Sequence, residues 1–238
     1  MLPSVLERSL TLDILRGRYA PGSRLPTIRE MAEAQGVTPA TIQRVVSRLE
    51  TRGLITARQG SGLRVNDPAT CGDLSLVPLW LEATLDTPQR AVSILEDFLE
   101  LRRVVAARLL VRHRVVILSR AKDLHAAAAR MTEAASQGVD ALREADMAFA
   151  RAVLSATGNL AAVGLLNTLG RVFEALPLVA EAMYADPSAN TDSMERVLRA
   201  LLEGRDDAAA AIESSLAAVD ARTLARFDAL IRRAERGP

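Results

Sequence analysis

Across residues 36–55, GVTPATIQRVVSRLETRGLI, the apolar side chains Ile42, Val45, Val46 and Leu49 recur at i, i+3, i+4 and i+7, the spacing of a helix with one buried face. The opposite face carries Ala40, Gln43, Arg44, Ser47 and Arg48, small or hydrogen-bonding near its start and positively charged further along. Thr38 is placed to cap this helix, and Pro39 to take the first helical position, where a missing N–H is harmless. Upstream, Ser4 and Glu7 have capping-box spacing, and Leu6, Leu10, Ile14 and Leu15 give a stripe ending near Gly17. YAPGSRLP turns the chain, and Thr27 with Glu30 opens a second helix that stops at Gly36. Two helices joined by a turn of about three or four residues form a helix-turn-helix.

After Gly53 the period changes. LITAR and LRV, separated by QGSG, predict a small β-hairpin, a wing carrying Arg58 and Arg64. NDPATCGD, residues 66–73, is a run of turn formers without periodicity, and from Leu76 onward the pattern is helical almost throughout. Thr87-Pro88 opens a long helix through ILEDFLELRRVVAARLLVRH, Ser119 is placed to cap the next, and Gly138, Gly158, Pro177, Pro187 and Gly204 punctuate the remainder. The expected fold is mainly α: a winged helix-turn-helix over 1–68, a linker over 69–75, and an all-α bundle of about six or seven helices over 76–238. No strand-like alternation follows the wing, which excludes a nucleotide-binding βαβ unit.

The net charge of +1 conceals an asymmetry. Residues 1–68 hold ten Arg against six Asp or Glu, while the remainder holds twenty Lys or Arg against twenty-three acids, so a weakly basic first domain precedes a weakly acidic second one. An exposed hairpin with two arginines buries little, yet it can lie along a phosphate backbone. Cys71 is the sole cysteine, which excludes an intrachain disulfide and a cysteine zinc cluster and suggests a reducing compartment. The N-terminus reaches Glu7 and Arg8 before any long apolar run, and no stretch approaches eighteen uncharged apolar residues. A soluble, cytoplasmic protein without membrane partners is expected.

LTLDILRGRYAPGSRLPTIREMAEAQGVTPATIQRVVSRLETRGLITARQGSGLRV resembles the winged-helix DNA-binding domain of GntR-type bacterial transcription regulators over nearly all of residues 8–66. The likeness includes the I-x-x-G-x-x-x-P-G-x-x-L-P approach, the V-T turn, the G-L-I exit and the G-S-G wing tip. It implies double-stranded operator DNA as a partner, met by Arg29 on the second helix, by residues at the start of the third helix and by the glycine-rich wing tip. The residues expected at DNA are Arg24, Arg29, Thr38, Ala40, Thr41, Gln43, Arg44, Arg48, Arg58, Gly60 and Gly62. FadR-like members carry arginines at the positions of Pro39 and Gln43, so the base-reading chemistry here departs from theirs: arginine forks onto guanine, whereas glutamine suits the adenine edge.

EADMAFARAVLSATGN, residues 144–159, resembles the FCD effector domain of the same FadR-like regulators, whose pattern is D-x-x-F-H followed by S-G-N. Asp146, Phe149, Gly158 and Asn159 match, and the ligand-binding histidine is replaced by Ala150. LELRRV is similar to the first effector helix, placing the family arginine at Arg102 or Arg103. Many members hold a metal through one aspartate and up to three histidines and bind a carboxylate ligand through it. Here the second histidine region falls near Met194 and the last near Ser214 and Ser215, so no metal or other cofactor is expected. The resemblance implies an effector site of Arg102, Asp146, Ala150, Asn159 and Met194, open to an organic acid or an apolar acyl-type molecule. From the residues alone, Asn159 is also a helix cap, Asp146 a surface carboxylate, Arg102 part of a salt-bridged face, and His113 and His125 solvated groups.

Three functions follow. The first is a ligand-responsive regulator, a repressor acting as a homodimer on a two-fold operator. The second is a constitutive repressor whose helical domain only dimerises. An enzyme is the third and least supported: no nucleophile with a base and no phosphate loop is present, the lone Lys122 has no cofactor context, and no catalytic residue is assigned.

Overall fold

Helix α1 (Pro3–Leu15) buries Leu6, Leu12 and Ile14 and packs on α3 (Pro39–Thr51), which returns Ile42, Val45, Val46 and Leu49 to the same core. Between them α2 (Ile28–Gln35) begins with a complete capping box: Glu30 N–H donates to Thr27 Oγ1 at 3.2 Å and Thr27 N–H to Glu30 Oε2 at 2.7 Å. Thr38 caps α3 by accepting from Thr41 N–H at 3.3 Å, with Pro39 in its first turn. The anticipated Ser4–Glu7 box does not form. Ser4 lies inside α1, and Glu7 is buried against α3, where it accepts from Arg48 and from Arg52, each at 2.9 Å.

Strands β1 (Ile55–Arg58) and β2 (Gly62–Val65) pair antiparallel in the register Ile55 to Val65. The approach segment joins them: Leu25 N–H donates to Leu63 O and Val65 N–H to Ser23 O, each at 3.0 Å. Side chains also anchor the wing to α3, since Ala57 N–H donates to Glu50 Oε1 at 2.8 Å and Asn66 Nδ2 to the Gly53 carbonyl at 2.8 Å. Gly53 tolerates no side chain, because its φ is 72° and a Cβ would meet the Cys71 carbonyl oxygen at 2.7 Å.

The computed structural model describes residues 3–58 and 62–235, and the chain divides into two compact units, Met1–Asp86 and Thr87–Pro238. The division falls later than the expected linker. Residues 69–75 do not run free: α4 (Pro68–Cys71), a 3-10 turn over Leu74–Leu76 and α5 (Val77–Ala83) follow the wing, and α5 packs on α1. Leu76 enters the winged unit's core, with Leu79 and Trp80 against it, so apolar anchors beyond the turn-forming stretch draw it onto the domain.

The second unit contains, among the described residues, eight helices rather than six or seven. They are α6 (Pro88–Arg112), α7 (Arg114–Leu118), α8 (Ala121–Ala134), α9 (Val139–Ala156), α10 (Leu160–Ala175), α11 (Pro177–Tyr184), α12 (Pro187–Glu203) and α13 (Ala208–Glu235). The long α6 and α13 lie together, with α11 and α12 also on α13, while α9 is flanked by α8 and α10. Ser119 does not cap α8. It ends the five-residue α7, and its hydroxyl donates to Val116 O at 2.7 Å. Arg114 secures α7 by donating from Nε to Leu201 O and from Nη2 to Leu202 O, carbonyls in the last turn of α12.

Candidate functional site

On the winged unit, Arg24, Arg29, Thr38, Ala40, Gln43 and Arg44 are all exposed. Thr41 is half-buried, its hydroxyl 3.0 Å from that of Thr38. The first turn of α3 thus presents small groups and Gln43 to solvent, with Arg44 beside it, because Ile42, Val45 and Val46 face inward and turn the remaining positions outward. Arg24 forms a β-bridge with Arg64, and Arg64 Nη1 donates to the Gly22 carbonyl at 2.8 Å, which fixes a guanidinium on the wing. Gly62 is exposed opposite Arg58 in the ladder; the Arg58 side chain and Gly60 lie outside the described residues. Arg48 is exposed as well, and it has a partner within the unit. Its guanidinium donates to Glu7 at 2.9 Å, which ties α3 to α1.

In the helical unit a cavity of about 120 Å³ lies between α6, α9, α12 and α13, with α10 and α11 contributing to its walls. Arg102, Asp146, Ala150 and Met194 all line it, although they come from three helices. Asn159 does not. Its side chain accepts from Ala162 N–H at 3.0 Å and caps α10, as a residue just after a turn glycine readily does. Most of the wall is apolar, including Phe149, Leu166, Leu169, Met183 and Val219, and Asn190 and Ser193 add two hydrogen-bonding groups from α12.

The polar side of this cavity is tied into the core. Tyr184 OH donates to Asp146 Oδ2 at 2.8 Å. Withdrawal from water pushes the Asp146 carboxyl above its usual pKa, against the Tyr184 hydrogen bond and the Arg102 charge, and burial raises the Tyr184 phenol too. Arg102 Nη2 donates to Asp220 Oδ1 at 2.6 Å, and Arg103 Nη1 to Asp220 Oδ2 at 3.4 Å. Burial raises the Asp220 carboxyl while both arginines oppose it. Below them Ser193 and Ser215 place their hydroxyls 3.0 Å apart, with Arg196 Nε donating to Ser215 at 3.1 Å.

Asp146, Ala150, Met194 and Ser215 do not fit the family's metal set. They offer one carboxylate, already accepting from Tyr184, a methyl, a thioether and a hydroxyl engaged with Ser193. His125 Nδ1 lies 2.7 Å from Ala121 O on an exposed turn, and His113 ends α6; neither lines the cavity. Sequence reasoning missed Asp220, Tyr184, Asn190 and Ser193. Asp220 left one trace: an acid on the buried stripe of α13 that includes Ile212, Val219, Thr223 and Phe227.

The model for the bacterial regulatory proteins of the gntR family matches residues 4–65, and that for the FCD domain matches residues 97–218. An uncharacterized HTH-type transcriptional regulator of Mycobacterium tuberculosis is 29% identical over 199 residues, spanning 83% of this chain and 79% of that protein. A fatty acid metabolism regulator protein of Vibrio cholerae is 36% identical over 96 residues, 40% of this chain but only 33% of its own length. Among solved structures, Lar, described as controlling the Listeria monocytogenes agr system, aligns over 94% of this chain and 96% of its own with a TM-score of 0.56 and 16% identity, a likeness of fold alone.

Proposed function

The chain belongs to the GntR family of DNA-binding transcription regulators, in its FCD-domain branch, and on that premise we propose that it is a metal-free, ligand-responsive repressor acting as a cytoplasmic homodimer. Its effector is a small organic acid held in the cavity of the helical unit. The observation that carries this reading is the convergence of Arg102, Asp146, Ala150 and Met194 on one apolar-walled cavity. A guanidinium at its edge supplies charge and orientation, and the apolar wall supplies affinity. Size favours a short acid over a long acyl chain: the volume of about 120 Å³ approaches that of a hydrocarbon cavity of about 150 Å³ that accommodates benzene. The fatty acid role in the Vibrio protein's name rests on a match to a third of that protein and does not fix the effector here.

Two chains would place two α3 helices in successive major grooves of a two-fold site. The wing and Arg29 would meet phosphates, and Gln43 a base edge. Among the described residues no single helix is long and apolar enough to cross a membrane. Selection of DNA from a random pool by the full chain tests the reading: inverted half-sites about one helical turn apart are expected. Enrichment of a single unrepeated site, or of none, would contradict the dimeric repressor.

A further inference from the structure

Arg102 and Arg103 face one carboxylate, Asp220, across the packing of α6 on α13. The Asp220 side chain is 2% exposed and those of Arg102 and Arg103 are 19% and 18% exposed, so the cluster is largely withdrawn from water and its charges act on one another strongly. Arg103 also lies 3.9 Å from the exposed carboxylate of Glu100, so among the described residues Asp220 is the one buried carboxylate paired with both guanidiniums. Arg102 also lines the cavity, and its Nε–H is buried without an acceptor. A buried donor left unmade costs more than a made bond contributes, so the site is incomplete on the side of an anion. The carboxylate that lines the cavity, Asp146, is engaged by Tyr184.

We propose that Asp220 is a built-in competitor for the effector: an effector carboxylate entering the cavity draws Arg102 away from Asp220, which Arg103 then retains. Asp220 itself does not line the cavity, so it competes through Arg102 and not by touching the ligand. The exchange sets affinity and specificity together. A neutral molecule of the same shape gains the apolar contacts but cannot displace Asp220, and a carboxylate binds with an affinity reduced by the fraction of Arg102 already occupied. Because Asp220 stands on α13, which packs against α6, α11 and α12, the exchange also changes what holds α13 to α6 when the effector is present. This assignment rests on the organic-acid reading of the cavity.

Calorimetric titration of the full chain with benzoate and with its neutral analogue benzamide tests it. Asp220→Asn is expected to tighten benzoate binding by about tenfold and to leave benzamide unchanged, a gain that mere structural damage does not produce. Benzoate binding that is unchanged or weaker in folded Asp220→Asn overturns the competition while leaving the acid site standing. Benzoate failing to bind both the wild-type chain and Asp220→Asn overturns the organic-acid reading and the competition with it. Should Asp220→Asn not fold, Arg103→Gln approaches from the other side: Asp220 then depends on Arg102 alone and benzoate binds more weakly, whereas equal or tighter binding overturns the proposal.

Discussion

In the winged unit the side chains proposed to meet DNA stand in solvent, whereas in the helical unit the cavity residues are engaged by partners far along the chain. Gln43 and Arg44 are exposed on a helix whose opposite face is fully buried. Arg102 and Asp146, by contrast, are held by Asp220 and Tyr184. The difference follows from the two kinds of ligand. DNA brings a large, hydrated, charged surface, so residues that read it must remain available and contribute little to stability. A small effector must be enclosed, and enclosing charged groups requires that they be paired before the ligand arrives. Substitutions should therefore separate cleanly: function without stability in the first unit, both together in the second.

The largest expected effect falls in the helical unit. Tyr184→Ala removes a fully buried ring and the donor to Asp146, and should cost about 3–5 kcal/mol in denaturant unfolding. Loss below about 1 kcal/mol would show that the cavity wall collapses onto the gap. Next comes Gln43→Arg, expected to shift preference from adenine to guanine at one operator position by about 1–3 kcal/mol. Its melting temperature should hardly move, since the side chain is exposed. Identical sites selected by both proteins would pass base reading to Arg44 or the wing.

Smaller still is Thr27→Ala, which removes the α2 cap at a cost of about 1 kcal/mol. The Glu30 carboxyl is held below its ordinary pKa of 4.5, chiefly by the Thr27 backbone N–H. Its share of the capping box is therefore present above pH 4.5 and is lost as the pH falls through the lower folded value. Unfolding curves of wild type and Glu30→Gln should accordingly converge in acid, and a constant gap between them would place the stabilisation elsewhere. Zinc or nickel comes last in this order, with no rise in melting temperature expected from a cavity offering a single carboxylate. A clear rise would mean that a different donor set assembles on binding.

The same contrast governs how much could be read in the sequence. The caps at Thr27 and Thr38, the stop at Gly36 and the exit at Gly53 occur where the pattern placed them, because each depends on neighbours within a few residues. Misreadings came where distant partners intervened. Ser4 and Glu7 have the spacing of a box, yet Glu7 pairs with Arg48 and Arg52 on another helix. NDPATCGD has the composition of a linker, and Leu76 and Trp80 beyond it pack on the winged core. Helix α7 spans only five residues, too few to display a period. Arg102 and Asp146 stand in a family pattern, but Asp220 lies 118 residues from Arg102, and no local spacing links them.

On the proposed function, occupancy of the cavity is felt at the DNA. Fluorescence anisotropy of the full chain on its selected site, with and without benzoate at a concentration shown by calorimetry to saturate the cavity, tests this most directly. A change in affinity of about fivefold or more is expected, abolished in Arg102→Gln. Equal affinity with the cavity filled would contradict the account and leave a constitutive DNA-binding protein whose helical unit serves only to hold two chains together.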